Sequence, residues 1–533
     1  MSSLDFDWIV IGSGFGGGVA AMRLTEKGYR VAVVEQGRRF EDEDFASSAW
    51  QARRLLWVPR LGLRGIMRVK TFKHVTVLAG VGVGGGSLVY GNTLYVPHSD
   101  AFYAHPQWAG IADWRQELAP HYAEAERMLG VVTYEGDGVS ERLMRAVAGD
   151  LGVLDGYQPT PVGVFFGEPG ETVEDPYFAG RGPPRTGCVR CGQCMLGCRY
   201  GAKNTLVKNY LWHAEAGGAV IDSDRAVTAI RPLGGGDGSD GYAISTERSG
   251  AWWRRDRREL TSRGVVVCAG PLGTNELLRR CRDHGFLPRI SDRLGELVRT
   301  NSEAITAATA PGGDYRAAVA ITASIFPDAH THVTNNSYGA GGDALALVFG
   351  PLTSGARPRL RPLLYFGAVA RQPVAWLAPA RVRGWSRRSI IFTVMQSSDS
   401  ALSLRAVGRR GRLQTETDAG NGVSAYLPVA NQVAELAAAR MGGTAQSSVA
   451  ESLTGAPTTA HFLGGAVIGA DRATGVVDGR HRVFGYQNLL VCDGAAVPAN
   501  VGVNPSLTIA ALAERAMAHI PAHPTAAQRE PGR

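Results

Sequence analysis

Residues 7–37 read DWIVIGSGFGGGVAAMRLTEKGYRVAVVEQG, with an apolar segment, a glycine loop, a helical stretch and a second apolar segment in succession. The loop satisfies the pattern G-x-G-x-x-G, and the second apolar segment ends in Glu35. This order predicts a strand–loop–helix–strand unit that binds a dinucleotide. A carboxylate at Glu35 can accept hydrogen bonds from ribose hydroxyls, and it disfavours a 2′-phosphate.

The residues of the loop have separate physical roles in such a unit. Gly12 permits the tight turn after the strand, Gly14 lets the backbone approach a pyrophosphate, and Gly17 lets the helix pack on the strand. Phe15, between them, is a further candidate for contact with the cofactor. The following helix would present free N–H groups and its positive dipole end to the phosphates.

A second glycine run lies about 70 residues further on, in GVGVGGGSLVYGN at 80–92. Its apolar neighbours favour burial over the alternative of a flexible surface loop. A second close backbone approach suits a large cofactor, along the pyrophosphate and an isoalloxazine ring, and so favours FAD over NAD.

The C-terminal part of the chain contains another strand–loop–helix pattern, NLLVCDGAAVPANVGVNPSLTIAALAER at 488–515. The strand ends in Asp493 and Gly494, and a helix begins near Ser506. Upstream, HFLGG at 461–465 places His461 at the start of a glycine-bearing turn. We expect this unit to return to the cofactor.

Together with VVVCAGPLGTNELL at 265–278, these segments resemble the glucose–methanol–choline (GMC) oxidoreductase family and, within it, the cholesterol oxidase branch. The resemblance implies an α/β fold, with a discontinuous Rossmann-like FAD-binding domain and an α+β substrate domain built on an antiparallel sheet. We assign 1–98, 185–300 and 455–523 to the first domain and 99–184 and 301–454 to the second. Residues 524–533 are expected to form a flexible tail.

The resemblance also implies which residues hold FAD. The ADP half of FAD would be held by Gly12, Gly14, Gly17 and Glu35, with Phe15 beside them. Three residues would lie along the pyrophosphate and flavin: Gly85, Ser87 and Asn92. Val227 resembles the position whose backbone contacts adenine, while Asp493, Gly494 and Asn504 would close over the ribityl chain and flavin.

The implied reaction oxidises a CH–OH group of a sterol, steroid or other lipophilic alcohol to a ketone by hydride transfer to flavin N5. His461 matches the family's catalytic histidine, which would take the hydroxyl proton, and Asn504 matches the polar residue that orients the substrate. A looser match places Asp399 on the substrate side. One alternative is an FAD/iron–sulfur alcohol dehydrogenase that passes electrons from a non-steroid alcohol to a carrier instead of O2. Another is a non-enzymatic flavin electron-transfer protein.

Four of the seven cysteines form CVRCGQCMLGC at 188–198, with the spacing C-x2-C-x2-C-x3-C. This spacing is typical of bacterial ferredoxin loops, in which the fourth cysteine of two-cluster proteins serves the other cluster. Cys188, Cys191, Cys194 and Cys198 are therefore candidate ligands of an iron–sulfur cluster. Zinc ligation and purely structural cysteines are the alternatives.

Much of the net charge of +8 comes from residues 344–398, which contain no acidic residue and eight arginines. Within this region, 355–388 interleaves arginine with apolar and aromatic residues, including Arg357 and Arg359. A lid that contacts the membrane, a docking surface for a redox partner and a solvated or dimer-covering element are the competing interpretations. No nucleic-acid recognition motif appears.

The chain begins MSSLDFDWIVIGSG, which lacks the basic start of a secretory signal. We also find no uninterrupted apolar run of the length that a transmembrane helix needs. A cytoplasmic enzyme, with peripheral membrane contact as an option, is the expected location.

Overall fold

The computed structural model describes residues 4–355, 360–407, 412–417 and 422–524. Arg357 and Arg359 of the basic segment and nearly all of the predicted tail at 524–533 lie outside these ranges. Two seven-stranded sheets dominate the described part of the chain.

The first sheet is parallel at its centre, where runs of β-branched residues such as VAVV and GVVV are buried on both faces. Its strands, in spatial order, are Val220–Asp222, Val31–Val34, Phe6–Ile11, Arg258–Val267, Tyr242–Arg248 and Arg225–Pro232. The seventh strand, Leu489–Val491, pairs in parallel with the end of Arg258–Val267.

Small residues let helices pack closely on this sheet. The helix Phe15–Glu26 packs on the strand Phe6–Ile11 and against the helix Ser506–Ala518, which in turn contacts Trp114–Leu129. A Cβ on Gly17 would lie 2.0 Å from the carbonyl oxygen of Gly12, so the helix could not approach the loop as closely with any other residue there.

The second sheet is antiparallel throughout. Its strands, in spatial order, are Phe349–Pro351, Thr444–Ser448, Ala304–Thr309, Ser389–Gln396, Thr331–Asn336, Ala323–Asp328 and Tyr157–Pro159. One face packs on the helices Val139–Asp150 and Pro428–Arg440 to form an apolar core. Because side chains alternate along a strand, Phe392 faces that core while its neighbours Ile391 and Thr393 face a large cavity.

Shorter elements complete the described chain. A three-stranded sheet contains Met67–Thr71, Thr76–Gly80 and Thr458–Thr459. Two-stranded pairs are Trp57–Val58 with Leu63–Arg64, Val131–Thr133 with Pro161–Gly163, Thr172–Val173 with Arg185–Thr186, and Ser403–Val407 with Arg412–Glu416. Further helices are Ala52–Leu55, Asp100–Tyr103, Tyr210–Ala216, Gly270–Asp283, Arg361–Arg371, Pro373–Leu377, Trp385–Arg388 and Val449–Thr454.

The predicted fold class is confirmed: a parallel-centred α/β unit lies beside an antiparallel sheet with its own helices. The predicted domain boundaries stay a prediction. None of the helices within the described ranges is long and apolar enough to cross a membrane.

Candidate active site

A cavity of about 900 Å³ extends from the first glycine loop to the open face of the second sheet. Most of the predicted cofactor residues line it: Gly12, Gly14, Phe15, Glu35, Gly85, Val227, Asp493 and Gly494. His461 and Asn504 line it as well.

The first glycine loop is shaped for close approach to a ligand. Gly12 has φ +99°, and a Cβ there would lie 2.2 Å from the carbonyl oxygen of Cys268. Gly14, by contrast, has open space where a Cβ would be. The helix that starts at Phe15 has no acidic residue in its first turn and no side-chain cap, so its N–H groups are available to a phosphate.

Glu35 is fully buried and lies beside this loop. Its carboxylate accepts hydrogen bonds from the Ser13 hydroxyl at 2.8 Å and from the Gly37 N–H at 2.8 Å. Burial raises the pKa of Glu35, and these hydrogen bonds act in the opposite direction. The carboxylate is thus held in place at the cavity wall, as a ribose-binding acid needs to be.

The second glycine run meets the first. Gly85 has φ +50°, and a Cβ there would lie 2.6 Å from the Cα of Gly14. Two predicted residues of this run do not line the cavity: the Ser87 hydroxyl instead donates to the Gly84 carbonyl at 2.7 Å, and Asn92 is buried with φ +68°. Gly91 and Thr93, on either side of Asn92, line the cavity in its place.

Asp493 and Gly494 line the cavity near the start of the helix Ser506–Ala518. The Asp493 carboxylate accepts from the Thr274 hydroxyl at 2.6 Å and from the Ala495 N–H at 2.8 Å. Burial raises its pKa to about 6.

These residues fit FAD. The cavity is long, two glycine loops let a ligand approach the backbone, and a helix N-terminus and a ribose-binding carboxylate stand at one end. The buried Oδ1 of Asn504 has no hydrogen-bond partner within the described chain, which is typical of an atom that contacts a ligand.

His461 is held between two partners. Its Nδ1 contacts the Glu303 carboxylate, and its Nε2 lies 3.1 Å from the Asn504 Nδ2. A carboxylate can only accept, so Nδ1 carries the proton, and Nε2 keeps a lone pair that accepts from the amide. A histidine in this tautomer can take a proton from a hydroxyl at Nε2.

Sequence reasoning missed Glu303. It belongs to no motif, and its signal is weak: one acidic residue directly before the apolar strand AITAAT. The side chain is 1% exposed, and its second oxygen accepts from the Ala460 N–H at 3.0 Å. Glu303 therefore fixes both the ring of His461 and the backbone that precedes it.

Asn301, two residues before Glu303, holds the loop that bears Asn504. Asn301 donates through Nδ2 to the Val503 carbonyl at 2.9 Å and accepts at Oδ1 from the Gly502 N–H at 2.8 Å. Asn301 and Ser302 both have positive φ, at 57° and 46°. This turn, directly before Glu303, joins the two sides of the site.

Asp399 does not belong to this site, and its proposed place on the substrate side is corrected. It does not line the cavity, its side chain is 63% exposed, and it pairs with Arg299 at 2.5 Å and His105 at 3.1 Å. Burial would raise the pKa of Asp399, but the hydrogen bonds from His105 and Arg299 outweigh it and lower the pKa.

Beyond His461 the cavity is mainly apolar. Side chains that project from the second sheet and its neighbours line this part, chiefly Ile305, Ile321, Leu345, Val348, Phe349 and Ile391. Polar side chains are interspersed among them, including Thr334, Asn336 and Thr393, and Asn336 donates to the Thr393 hydroxyl at 2.9 Å. Such a surface suits a large apolar molecule with one polar end.

The four clustered cysteines line a second, smaller cavity. All of the cysteines are free thiols. Burial, followed by the proximity of Cys194, raises the pKa of Cys188 to about 12. Within the described ranges, no group of three or more His, Cys, Asp and Glu side chains could hold a metal ion, so neither the zinc nor the iron–sulfur interpretation finds support here.

Known protein families and known proteins match most of this chain. Models of the GMC oxidoreductase family match residues 184–282 and 394–513, and a model of an FAD binding domain matches 7–53. A cholesterol oxidase of Mycobacterium tuberculosis (strain ATCC 25618 / H37Rv) is 49% identical, over 96% of this chain and 90% of that protein. A cholesterol oxidase of Acinetobacter baumannii is 42% identical, over 98% of this chain and 96% of that protein.

Among solved structures, pyridoxine 4-oxidase from Mesorbium loti superposes with a TM-score of 0.62 at 15% identity, over 96% of this chain and 98% of that one. This similarity concerns the fold alone. Taken with the sequence relatives, it leads to one conclusion: the chain belongs to the GMC oxidoreductase family and is an FAD-dependent oxidoreductase that acts on CH–OH groups.

Proposed function

We propose that the enzyme oxidises the secondary hydroxyl of a sterol, or of a similarly shaped lipophilic alcohol, to a ketone. The observation that carries the proposal is that His461 lines a largely apolar cavity, with Glu303 on one side of its ring and Asn504 on the other. The names of the two relatives support the choice of a sterol.

In this proposal each residue of the site has one task. His461 Nε2 takes the hydroxyl proton, Glu303 holds the ring in the tautomer that can do so, and Asn504 orients the alcohol oxygen. The bound FAD supplies the hydride acceptor. A protein that only carried electrons would need no base beside the flavin, so this arrangement disfavours the non-enzymatic alternative.

The test is anaerobic bleaching of the bound flavin by a panel of alcohols: 3β-hydroxysterols, linear long-chain alcohols and small polar alcohols. We expect rapid bleaching by the sterols and slow bleaching by the small alcohols, because these leave the apolar cavity unfilled. Bleaching by small or linear alcohols but not by any sterol would contradict the sterol assignment. No bleaching by any alcohol would contradict the catalytic role of His461.

We propose O2 as an acceptor of the electrons, because both relatives are named oxidases. One H2O2 would then form for each alcohol oxidised in air. A yield of far less than one H2O2 per ketone formed would indicate that an electron carrier, and not O2, accepts the electrons.

We also propose that the enzyme docks on an anionic membrane surface through the described part of the basic segment. The helices Arg361–Arg371 and Pro373–Leu377 expose large apolar side chains: Leu363, Leu364, Phe366, Val374 and Leu377. They lie next to the cavity wall, since the ring of Tyr365 covers Gly350 and Arg381 donates to the Phe349 carbonyl at 3.2 Å.

Not every arginine of the segment is available for such docking. Arg361 is buried and bonds to the Ala425 carbonyl, and Arg388 donates to the Ala310 carbonyl. Arg371 and Arg383 are exposed. A bilayer beside the cavity would let a lipophilic alcohol enter without crossing water.

Co-sedimentation with vesicles tests the docking. We expect binding to vesicles with anionic lipid, weaker binding in high salt, and loss of binding in the double variant Leu363→Asp/Phe366→Asp. Flavin bleaching by sterol in detergent should be the same in the variant and the wild type. Equal sedimentation of the wild type and the variant would contradict the docking. The surface would then be assigned to a redox partner or to a dimer contact.

A further inference from the structure

A group of polar side chains interrupts the apolar wall that the second sheet contributes to the large cavity. Asn336 and Thr393 face the cavity from the neighbouring strands Thr331–Asn336 and Ser389–Gln396, and Tyr338 lines it just beyond the first of these strands. We call these three side chains the polar patch. The side chains that surround it on the cavity wall are apolar: Ile305, Ile321, Phe349 and Ile391.

The contacts within the polar patch leave two hydroxyl protons for a ligand. The Asn336 amide donates to the Thr393 hydroxyl at 2.9 Å, so the Thr393 oxygen accepts in this contact and the hydroxyl keeps its own proton to donate. The Tyr338 hydroxyl has no hydrogen-bond partner among the described residues, and burial raises its pKa to about 12. Both hydroxyls are therefore neutral donors, and both can donate to an acceptor in the cavity.

These two donors make the wall selective between ligands. A hydroxyl in an apolar wall costs free energy when a ligand displaces water from it and offers no acceptor in return. A sterol with a purely hydrocarbon tail would cover the polar patch in this way. A site built to hydrogen-bond one group of its substrate discriminates strongly against the analogue that lacks that group. The polar patch therefore favours a ligand with an oxygen at this place.

The polar patch lies on the side of the cavity that faces the alcohol and not the cofactor. All of the predicted FAD residues are within the described chain, and none of them belongs to a strand of the second sheet. They lie on the two glycine loops, at Val227 in the first sheet, and on the segments around Asp493 and Asn504. The open face of the second sheet is thus left for the other reactant.

The register of the second sheet gives the distance between the polar patch and the catalytic base. Asn336 pairs with Ile391, Ile391 pairs with Ala307, and Glu303 lies four residues before Ala307. Four residues of strand span about 13 Å and two strand spacings about 10 Å, so the backbones of Asn336 and Glu303 are roughly 16 Å apart. A rigid steroid skeleton of four fused rings, with an oxygen on each end ring, fits a span of this size.

We propose that the polar patch binds a second oxygen of the substrate, so that the preferred alcohol is a hydroxysteroid with a carbonyl group at the end opposite the hydroxyl that is oxidised. Tyr338 and Thr393 donate to this carbonyl oxygen. Asn336 is a positioning residue, because its amide orients the Thr393 hydroxyl. The inference rests on the proposed oxidation of a steroid alcohol at His461 and narrows the class of that alcohol.

Two 3β-hydroxysteroids that differ by a single oxygen test the proposal. One carries a ketone on the ring opposite the hydroxyl, and the other has a CH2 group in place of that ketone. Anaerobic flavin bleaching at a series of steroid concentrations gives an apparent Kd for each. We expect the wild type to bind the ketone-bearing steroid about tenfold more tightly, which is the effect of two neutral hydrogen bonds.

Variants of the polar patch should reduce this preference, measured as the ratio of the two Kd values. Tyr338→Phe and Thr393→Val should each lower the ratio about fivefold, because each removes one donor and keeps the shape of the side chain. The matched controls are Tyr200→Phe and Thr133→Val, which change exposed residues outside the large cavity and should keep the wild-type ratio. Because the ratio compares two ligands of one protein, a general loss of stability cancels.

Asn336→Leu tests the positioning role. Added to Thr393→Val, it should cause no further loss of the preference, since Asn336 acts through the hydroxyl that is already absent. A further loss of similar size would show that Asn336 contacts the steroid itself and would overturn the positioning role.

The outcomes separate this inference from the proposed function. Flavin bleaching by both steroids with equal Kd values in the wild type would overturn the inference and leave the oxidation of steroid alcohols standing. A preference for the ketone that persists in both Tyr338→Phe and Thr393→Val would overturn the role of the polar patch. No bleaching by either steroid would overturn the proposed function and this inference with it.

Discussion

The two nitrogens of the His461 ring meet different partners, and this difference makes the residue a base. Nδ1 faces the buried Glu303 carboxylate, whereas Nε2 faces the Asn504 amide and the cavity. Without the carboxylate, either tautomer could form and the ring could rotate. Glu303 therefore decides which way the lone pair of His461 Nε2 points.

We predict that Glu303→Gln slows flavin reduction by alcohol about 10²–10⁴-fold, since the amide can donate as well as accept and no longer imposes one tautomer. Anaerobic stopped-flow measurement at saturating alcohol would give the rate, and FAD content would verify the fold. Asp399→Asn is the matched control, because this exposed carboxylate lies outside the cavity and should change the rate less than about twofold. Equal losses in the two variants would contradict the role of Glu303.

At the scale of elements, the two glycine loops act together because they touch. Gly85 opposes Gly14, and both line the cavity where the helix Phe15–Glu26 begins. A Cβ on Gly85 would separate the loops and change the place where a pyrophosphate would lie.

We predict that Gly85→Ala reduces retention of FAD at least tenfold, because the new Cβ would lie 2.6 Å from the Gly14 Cα and φ is +50°. The ratio of flavin to protein absorbance after gel filtration measures it. Gly149→Ala, on the exposed face of the helix Val139–Asp150, has open space around it and should retain FAD while gaining about 0.5–1 kcal/mol in stability. Normal retention of FAD by the Gly85→Ala variant would show that FAD binding does not need the close contact between Gly14 and Gly85.

A second element-scale feature is the helix Val449–Thr454, which supports the strand that leads to His461. Its Glu451 is fully buried and accepts from the Thr458 N–H at 3.0 Å. Burial raises the pKa of Glu451 to about 8 from an ordinary 4.5. The folded chain therefore binds the carboxyl proton of Glu451 more tightly than the unfolded chain does. The resulting stabilisation of the folded chain is fully present below about pH 4.5 and is lost as the pH rises through 8.

We predict that Glu451→Gln matches the wild type near pH 5 and becomes the more stable protein at pH 9, because the amide keeps the acceptor and carries no charge. The difference in unfolding free energy should grow by up to about 1.4 kcal/mol per pH unit between the two pKa values. Urea unfolding at pH 5 and pH 9 would measure it. A variant that is equally destabilised at both pH values would contradict the burial of a titrating carboxyl.

At the scale of the whole molecule, the cavity joins the two sheets. Its walls come from the glycine loops of the first sheet and from the open face of the second, so a ligand there contacts both. Binding to the folded chain alone stabilises that chain by mass action.

We predict that removal of FAD lowers the midpoint of thermal unfolding by several degrees and that added FAD restores it. At a thousandfold excess of FAD over Kd the stabilisation is about 4 kcal/mol. Differential scanning calorimetry of the stripped and reloaded protein is the measurement, and AMP, which fills only one end of the cavity, is the comparison. An unchanged midpoint would show that FAD is not bound between the sheets.

Several features of this protein follow from local sequence. The strand–glycine–helix unit at 7–37, the second glycine run and the FAD assignment depend on residues that are close in the chain, and FAD use is confirmed by the family. His461 and Asn504 carried motif signals, and the structure places them 3.1 Å apart. Ser87, Asn92 and Asp399 do not line the cavity, because a motif indicates a segment but does not indicate which way each side chain points.

What the sequence determined by itself is therefore the fold class, through short-range patterns of glycine and apolar residues that dictate turns and strands, and the use of FAD, through the resemblance to the GMC family. The tertiary structure alone decided which carboxylate serves His461, because Glu303 is 158 residues away along the chain. It also decided that the four clustered thiols share one cavity. Burial and contact between distant segments are products of packing, and no local pattern encodes them.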